Sequence, residues 1–171
     1  MTISSFESDL RYRALMELLR TSDTVWNVSR TFFERWKLSP SQFNVLNLLH
    51  STPDGLSQTE LGRQLIMHRS NLTGLVDRLE KRGLVQRKEV AADRRAYRVV
   101  LTETGNRLMD EILPLYYQGA SRVWDLPPKR ATELIADLRQ LALNAQRIVQ
   151  GGGEPAEPEI RNPKSGMNSN E

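Results

Sequence analysis

The sequence predicts a mainly α fold with a small β-hairpin wing, a winged helix-turn-helix domain set between N- and C-terminal dimerisation helices. Three observations predict it. Two short amphipathic helical patterns are joined tightly between Ser57 and Arg82, and Gly83 stops the second. Two β-rich runs follow at once, Val85 to Val90 and Ala96 to Leu101, short enough to form a hairpin around Ala92-Asp93-Arg94-Arg95. Longer helical patterns with apolar faces then flank this centre on both sides.

Taken in order, residues from about Phe6 to Trp36 carry an apolar helical face from Leu10, Leu15, Leu18, Leu19, Val25, Trp26, Val28, Phe32 and Phe33. Thr21-Ser22-Asp23 is expected to break or kink that helix. Ser39-Pro40-Ser41-Gln42 is a start signal: Ser39 caps, Pro40 fits the first helical position, and Gln42 reaches back. The helix it opens carries Phe43, Leu46 and Leu49, and Pro53-Asp54-Gly55 turns the chain. Ser57-Gln58-Thr59-Glu60 is a second capping box, opening about two turns through Leu65. The next helix begins at Met67 or His68 and runs to about Arg82. Thr102 caps a helix from Glu103 to about Ser121, with Pro114 expected to bend it. Asp125-Leu126-Pro127-Pro128 restarts the chain into a last helix, to about Val149, striped by Leu134, Leu138, Leu141, Ala145 and Ile148. The organisation expected is therefore 1–38 N-terminal helical region, 39–102 winged helix-turn-helix, 103–150 C-terminal helices and 151–171 disordered tail. Beyond Gly151 the only large apolar residues are Ile160 and Met167, too few to offset ordering entropy.

Composition narrows the class. The 171 residues suit one ordinary domain and hold no cysteine, so no disulfide framework or thiolate sensor exists. No apolar run is long enough to span a membrane, and the first residues lack the apolar core of a signal peptide, so a cytoplasmic address is expected. The net charge of +3 is unevenly spread. Residues 57–101 carry ten Lys and Arg against five Asp and Glu, whereas 1–56 and 102–150 are balanced at six and six each. The positive excess thus coincides with the helix-turn-helix, as a nucleic-acid footprint would. His50 and His68 without cysteine do not make a closed zinc site, and no metal or cofactor is expected. No nucleophile–base set, P-loop or GxGxxG is present, so an enzyme is not expected either.

A helical wheel of His68 to Arg82 gathers Leu72, Leu75, Val76 and Leu79 on the core side. Near the N-terminal end, Arg69, Ser70, Asn71, Thr73 and Gly74 are left exposed, with His68 placed for a phosphate or solvent contact. Arginine pairs with guanine, asparagine with adenine, and a threonine methyl touches thymine in the major groove. Gly74 costs a helix up to ~1 kcal/mol, and close approach to DNA is a reason to keep it. Arg94 and Arg95 suit the negative potential of a narrow minor groove, and Asp93 would pair with an arginine to fix its pose.

Leu75-Val76-Asp77-Arg78-Leu79-Glu80-Lys81-Arg82-Gly83-Leu84-Val85 resembles the end of the recognition helix in the MarR family of bacterial regulators. Asp93-Arg94-Arg95, followed by Leu101-Thr102 and Gly105, resembles that family's wing and next helix. Leu38-Ser39-Pro40-Ser41-Gln42-Phe43 resembles its second-helix start. The resemblance covers roughly Leu19 to Val149. It implies a homodimer whose first and last helices interlock, with two wings straddling palindromic double-stranded DNA. It further implies Arg95 as the minor-groove arginine, with Asp77, Arg78 and Asp93 bracing the wing. The aromatics on the helices around that family's ligand cleft are expected to pack in the core or the dimer seam. The functional alternative is a cleft for a small, phenolic or other aromatic effector lined by Trp26, Arg30, Phe33, Trp36 and Tyr116. The expected function is a repressor released from a promoter operator by that effector. The competing class is a winged helix that binds proteins instead, which would present an apolar and weakly charged recognition face.

Overall fold

Helix α1, Leu10–Glu34, begins where Asp9 accepts a hydrogen bond from the Arg11 backbone at 2.9 Å. A computed structural model describes the backbone of residues 9–65, 69–90 and 93–150, with side chains for all of these except 69–70, 90 and 93–96. The expected break at Thr21-Ser22-Asp23 does not occur, and α1 is one helix of 25 residues. The hydroxyl of Thr24 bonds back to the Arg20 carbonyl at 2.9 Å, so this polar stretch is accommodated within the helix. Along its whole length α1 buries only Phe33, while Leu10, Leu15, Leu19, Val25, Trp26 and Val28 stay exposed.

The chain leaves α1 through a Schellman stop. The N–H of Leu38 bonds to Phe33 O and that of Lys37 to Glu34 O, while Lys37 adopts φ 54°. Both apolar ends of this motif, Phe33 and Leu38, are buried. Helix α2, Pro40–His50, then opens with the capping box expected of Ser39 and Gln42, both reciprocal bonds being present. It is the centre of the core: Phe43, Val45, Leu46 and Leu49 are all at most 2% exposed.

Helix α3, Gln58–Leu65, starts at Ser57, whose hydroxyl accepts from the Glu60 N–H while the Glu60 carboxylate takes the Ser57 N–H. Helix α4, Arg69–Lys81, turns Leu72, Leu75, Val76 and Leu79 into the core, the face that the wheel assigned. It ends in a second Schellman stop, with Gly83 at φ 67°, Leu84 N–H on Leu79 O and Gly83 N–H on Glu80 O.

Strands β1, Val85–Val90, and β2, Asp93–Leu101, form the antiparallel wing. The second strand starts three residues earlier than expected. Val90 pairs with Asp93, yet Glu89 pairs with Tyr97, so the backbone of Arg94-Arg95-Ala96 is extra length on β2. The arginine pair therefore sits in a bulged strand rather than in the turn, a device that re-aims side chains and adds twist. A further bridge joins Leu56 to Val99 through bonds of 3.0 and 2.8 Å, giving the hairpin a third, one-residue strand. No sequence period could announce a single residue.

Helix α5, Glu103–Val123, is two residues longer than expected and continues through Pro114. Its Met109 and Ile112 are fully buried and close the core over α2 and the base of the wing. The chain divides into two compact units between Gly119 and Ala120. Helix α6, Pro128–Gln150, belongs to the second and buries no residue, with Leu134, Leu141 and Ile148 of its apolar stripe exposed. The expected tail from Gly151 lies outside the described residues. No described helix is long and apolar enough to cross a membrane.

Candidate nucleic-acid interface

Helix α4 offers Asn71 on its exposed side, with Thr73 and Gly74 half-exposed beside it. Arg69 and Ser70 form the backbone of the first turn, but their side chains lie outside the described residues, as does His68 altogether. Among the described residues a Cβ added to Gly74 would meet only the Arg78 guanidinium at 3.5 Å, an ordinary contact. Nothing among the described residues requires a glycine there. Toward the C-terminal end Arg78 and Lys81 are exposed, and the face is polar and charged throughout.

The wing is fastened to this helix by Arg87. Period-two alternation from the buried Val85 turns Arg87 toward α4, where Asp77 and Glu80 stand one helical turn apart. Its guanidinium bonds to Asp77 Oδ1 at 2.5 Å and to the Glu80 carboxylate, while its N–H donates to Glu80 Oε1 at 3.0 Å. The hydrogen bond to Asp77 raises Arg87 above the usual arginine value; partial burial opposes this, and the charges of Glu80 and Asp77 reinforce it.

Asp77 thus touches the wing through Arg87, a partner that sequence reasoning missed. Asp77 was marked by the family resemblance, but its partner stands ten residues away on a different element. Arg78 is exposed and lies beside Gly74. The side chains of Asp93, Arg94 and Arg95 are outside the described residues, so their expected roles rest on the backbone position alone.

Arg98 anchors the other edge of the hairpin. Its guanidinium donates to the carbonyls of Asp54 and Gly55 at 3.1 and 2.7 Å, with Glu60 at 3.9 Å. The wing is consequently tied to α4 through Arg87 and to the α2–α3 turn through Arg98. Such ties convert a hairpin that would be marginal alone into a fixed lever.

The residues expected to line an effector cleft are only partly gathered. Phe33 stacks on Phe43 at 4.2 Å and on Tyr116 at 5.6 Å between ring centroids, and Phe32 joins them to Trp36 at 5.3 Å. Trp26 and Arg30 lie earlier on α1, exposed and outside this ring cluster. Among the described residues no group of three or more His, Cys, Asp or Glu is placed to hold a metal ion.

Comparison with known proteins agrees with this architecture. The sequence profile of the MarR family matches residues 36–96. The uncharacterized HTH-type transcriptional regulator YkoM of Bacillus subtilis is 30% identical over 113 residues, which is 65% of this chain and 72% of YkoM. The crystal structure of AbsC, a MarR family regulator from Streptomyces coelicolor, shares the fold with a TM-score of 0.74 at 24% identity, over 81% of this chain and 96% of AbsC. CouR, solved from Rhodococcus jostii RHA1 with p-coumaroyl-CoA, is similar at TM-score 0.67 and 26% identity, over 79% of this chain and 92% of its own. The repressor CouR on a 23-mer DNA duplex gives 0.68 and 28%, over 83% and 98%. The chain belongs to the MarR family of transcriptional regulators.

Proposed function

We propose that this regulator is a repressor that occupies a palindromic promoter operator as a homodimer and leaves it when a small aromatic or phenolic ligand binds. The observation that carries the reading is the clamp of Asp77 and Glu80 on Arg87, which fixes the wing against the C-terminal half of α4, the helix that exposes Asn71 in its first turns. In a winged helix this pairing places a helix for the major groove and a basic strand for the minor groove. Arg69, Ser70, Asn71, Thr73 and Gly74 then read or approach bases, with His68 on a phosphate. Arg94 and Arg95 serve the minor groove, and Asp77, Arg78 and Asp93 brace the wing. The likeness to CouR, a repressor solved on DNA and solved with p-coumaroyl-CoA, supports both a duplex and an aromatic effector as partners. Of the expected lining residues Phe33 and Trp36 are buried in the ring cluster, so in this reading a ligand meets the half-buried Tyr116, with Trp26 and Arg30 exposed farther along α1.

Titration on DNA from upstream of the chain's own coding sequence and on a scrambled duplex, at two salt concentrations, tests the reading. Asn71→Ala should cost about 1–3 kcal/mol per half-site on the operator and little on the scrambled duplex. Gly74→Ala should raise stability by up to about 1 kcal/mol, because alanine favours helix, yet weaken operator binding by crowding the backbone's approach to DNA. Equal losses on both duplexes would show that α4 does not read sequence.

A further inference from the structure

The two Schellman stops described above are joined by one side chain. Arg82, the residue before Gly83, donates from Nη1 to Lys37 O at 2.7 Å and from Nη2 to Trp36 O at 3.0 Å. These carbonyls close the C-terminus of α1, where helical geometry leaves acceptors unpaired and the helix dipole favours a cation. Lys37 holds a left-handed conformation that non-glycine residues enter at a cost, and its carbonyl is one of the two that Arg82 fixes. From the same corner the indole of Trp36 donates to Glu111 Oε1 on α5 at 2.7 Å. The Trp36 ring itself is 9% exposed, packed on Phe32 and covered by the Arg35 guanidinium at 4.4 Å. Glu111 on α5, Trp36 at the α1–α2 corner and Arg82 at the end of α4 therefore form one unbroken run of charge-assisted bonds.

We propose that Arg82 is a positioning residue of the DNA-reading helix, and that Trp36 and Glu111 join it to α5, so that the pitch of α4 is set from α5 through the α1–α2 corner. The lever is long enough to matter. Asn71 stands eleven residues before Arg82, about 16 Å along the axis, so a tilt of about 5° at Arg82 moves it by about 1.4 Å. That displacement exceeds the tolerance of a hydrogen bond to a base edge. A planar guanidinium spans two successive carbonyls, which a lysine ammonium does not reproduce. The DNA part of the proposal rests on the function proposed above, whereas the coupling between helices does not.

The test is amide hydrogen exchange across residues 79–84 of the full-length protein. Trp36→Phe, which keeps a ring and removes the indole N–H, and Glu111→Gln should each speed exchange there, by about three- to tenfold. Neither should add to the increase in an Arg82→Gln background, and Arg82→Lys should not restore the parent rate. Unchanged exchange in Trp36→Phe, or full additivity with Arg82→Gln, would overturn the coupling. A duplex selected by the parent protein from a random-sequence pool supplies the second reading. Arg82→Gln should lose about tenfold on that duplex and nothing on a scrambled one, as loss of alignment rather than of a phosphate contact predicts. Equal loss on both would mark Arg82 as a DNA contact and overturn its positioning role. Failure of the parent to select any duplex would overturn the DNA part together with the proposed function. Loss of the exchange coupling with selection intact would overturn this proposal alone.

Discussion

Gly105 and Gly74 are both helical glycines, and their surroundings give them opposite meanings. A Cβ on Gly105 would stand 2.1 Å from the Leu84 carbonyl oxygen, a backbone atom with little room to withdraw. Gly105→Ala should therefore cost about 1–3 kcal/mol of stability in urea unfolding, as overpacking does. The same substitution at Gly74 meets no such barrier, and the two variants should move in opposite directions in one assay. The sequence made Gly74 conspicuous because it interrupts a helical wheel. Gly105 could be noticed only through a family resemblance, because the atom it makes room for lies twenty-one residues earlier. Arg87 was illegible for a similar reason: a basic residue on a half-buried strand looks solvated until the helix carrying Asp77 and Glu80 is laid against it.

The helix starts were written locally and could be read locally. Ser39 with Gln42 and Ser57 with Glu60 form capping boxes of the same design, and both were visible as spacings of three. They differ in chemistry, because Gln42 does not titrate and Glu60 does. The Ser57 N–H, followed by its hydroxyl, holds the Glu60 carboxyl below its ordinary value of 4.5. A depressed carboxyl contributes stability above its unfolded pKa and loses it as pH falls through the folded one. Thermal melts from pH 6 downward should show the parent falling faster than Glu60→Gln below about pH 4.5. A constant gap between them would mean that the carboxylate adds nothing to the cap. Where the sequence misled, long-range pairing was responsible. The early start of β2 and the bridge of Leu56 to Val99 depend on partners distant in the chain. The supposed break in α1 rested on three polar residues that a continuous helix tolerates.

Across the whole molecule, the distribution of exposed apolar side chains is uneven. Leu15 and Leu19 of α1 are 50% and 52% exposed, and Leu134, Leu141 and Ile148 of α6 lie open as well. Contiguous apolar faces of this kind mark an association surface. With the homodimer proposed above, Leu15→Glu combined with Leu19→Glu should shift sedimentation at micromolar concentration from dimer to monomer. The core built on α2 should still melt cooperatively, since neither residue enters it. A full-length parent that sediments as a monomer would remove the dimer from the proposal. The periodicity of these faces was plain in the sequence; which of them the chain itself would cover was not, because that depends on how much core the central domain already has.

The ten basic residues of 57–101 suggest a strongly cationic surface, but three of their guanidinium groups are engaged within the fold. Arg82 and Arg98 are held on backbone carbonyls, and Arg87 is matched by two carboxylates. A cation so engaged displaces few condensed counterions from a duplex. The salt dependence of DNA affinity, about 0.9 in log–log slope for each phosphate neutralised, should therefore count fewer contacts than the composition suggests. Replacing Arg87 should expose two uncompensated negative charges beside the wing, whose repulsion of a duplex makes that slope shallower. The affinity would therefore fall most at low salt, and the fall would shrink as added salt screens the two carboxylates.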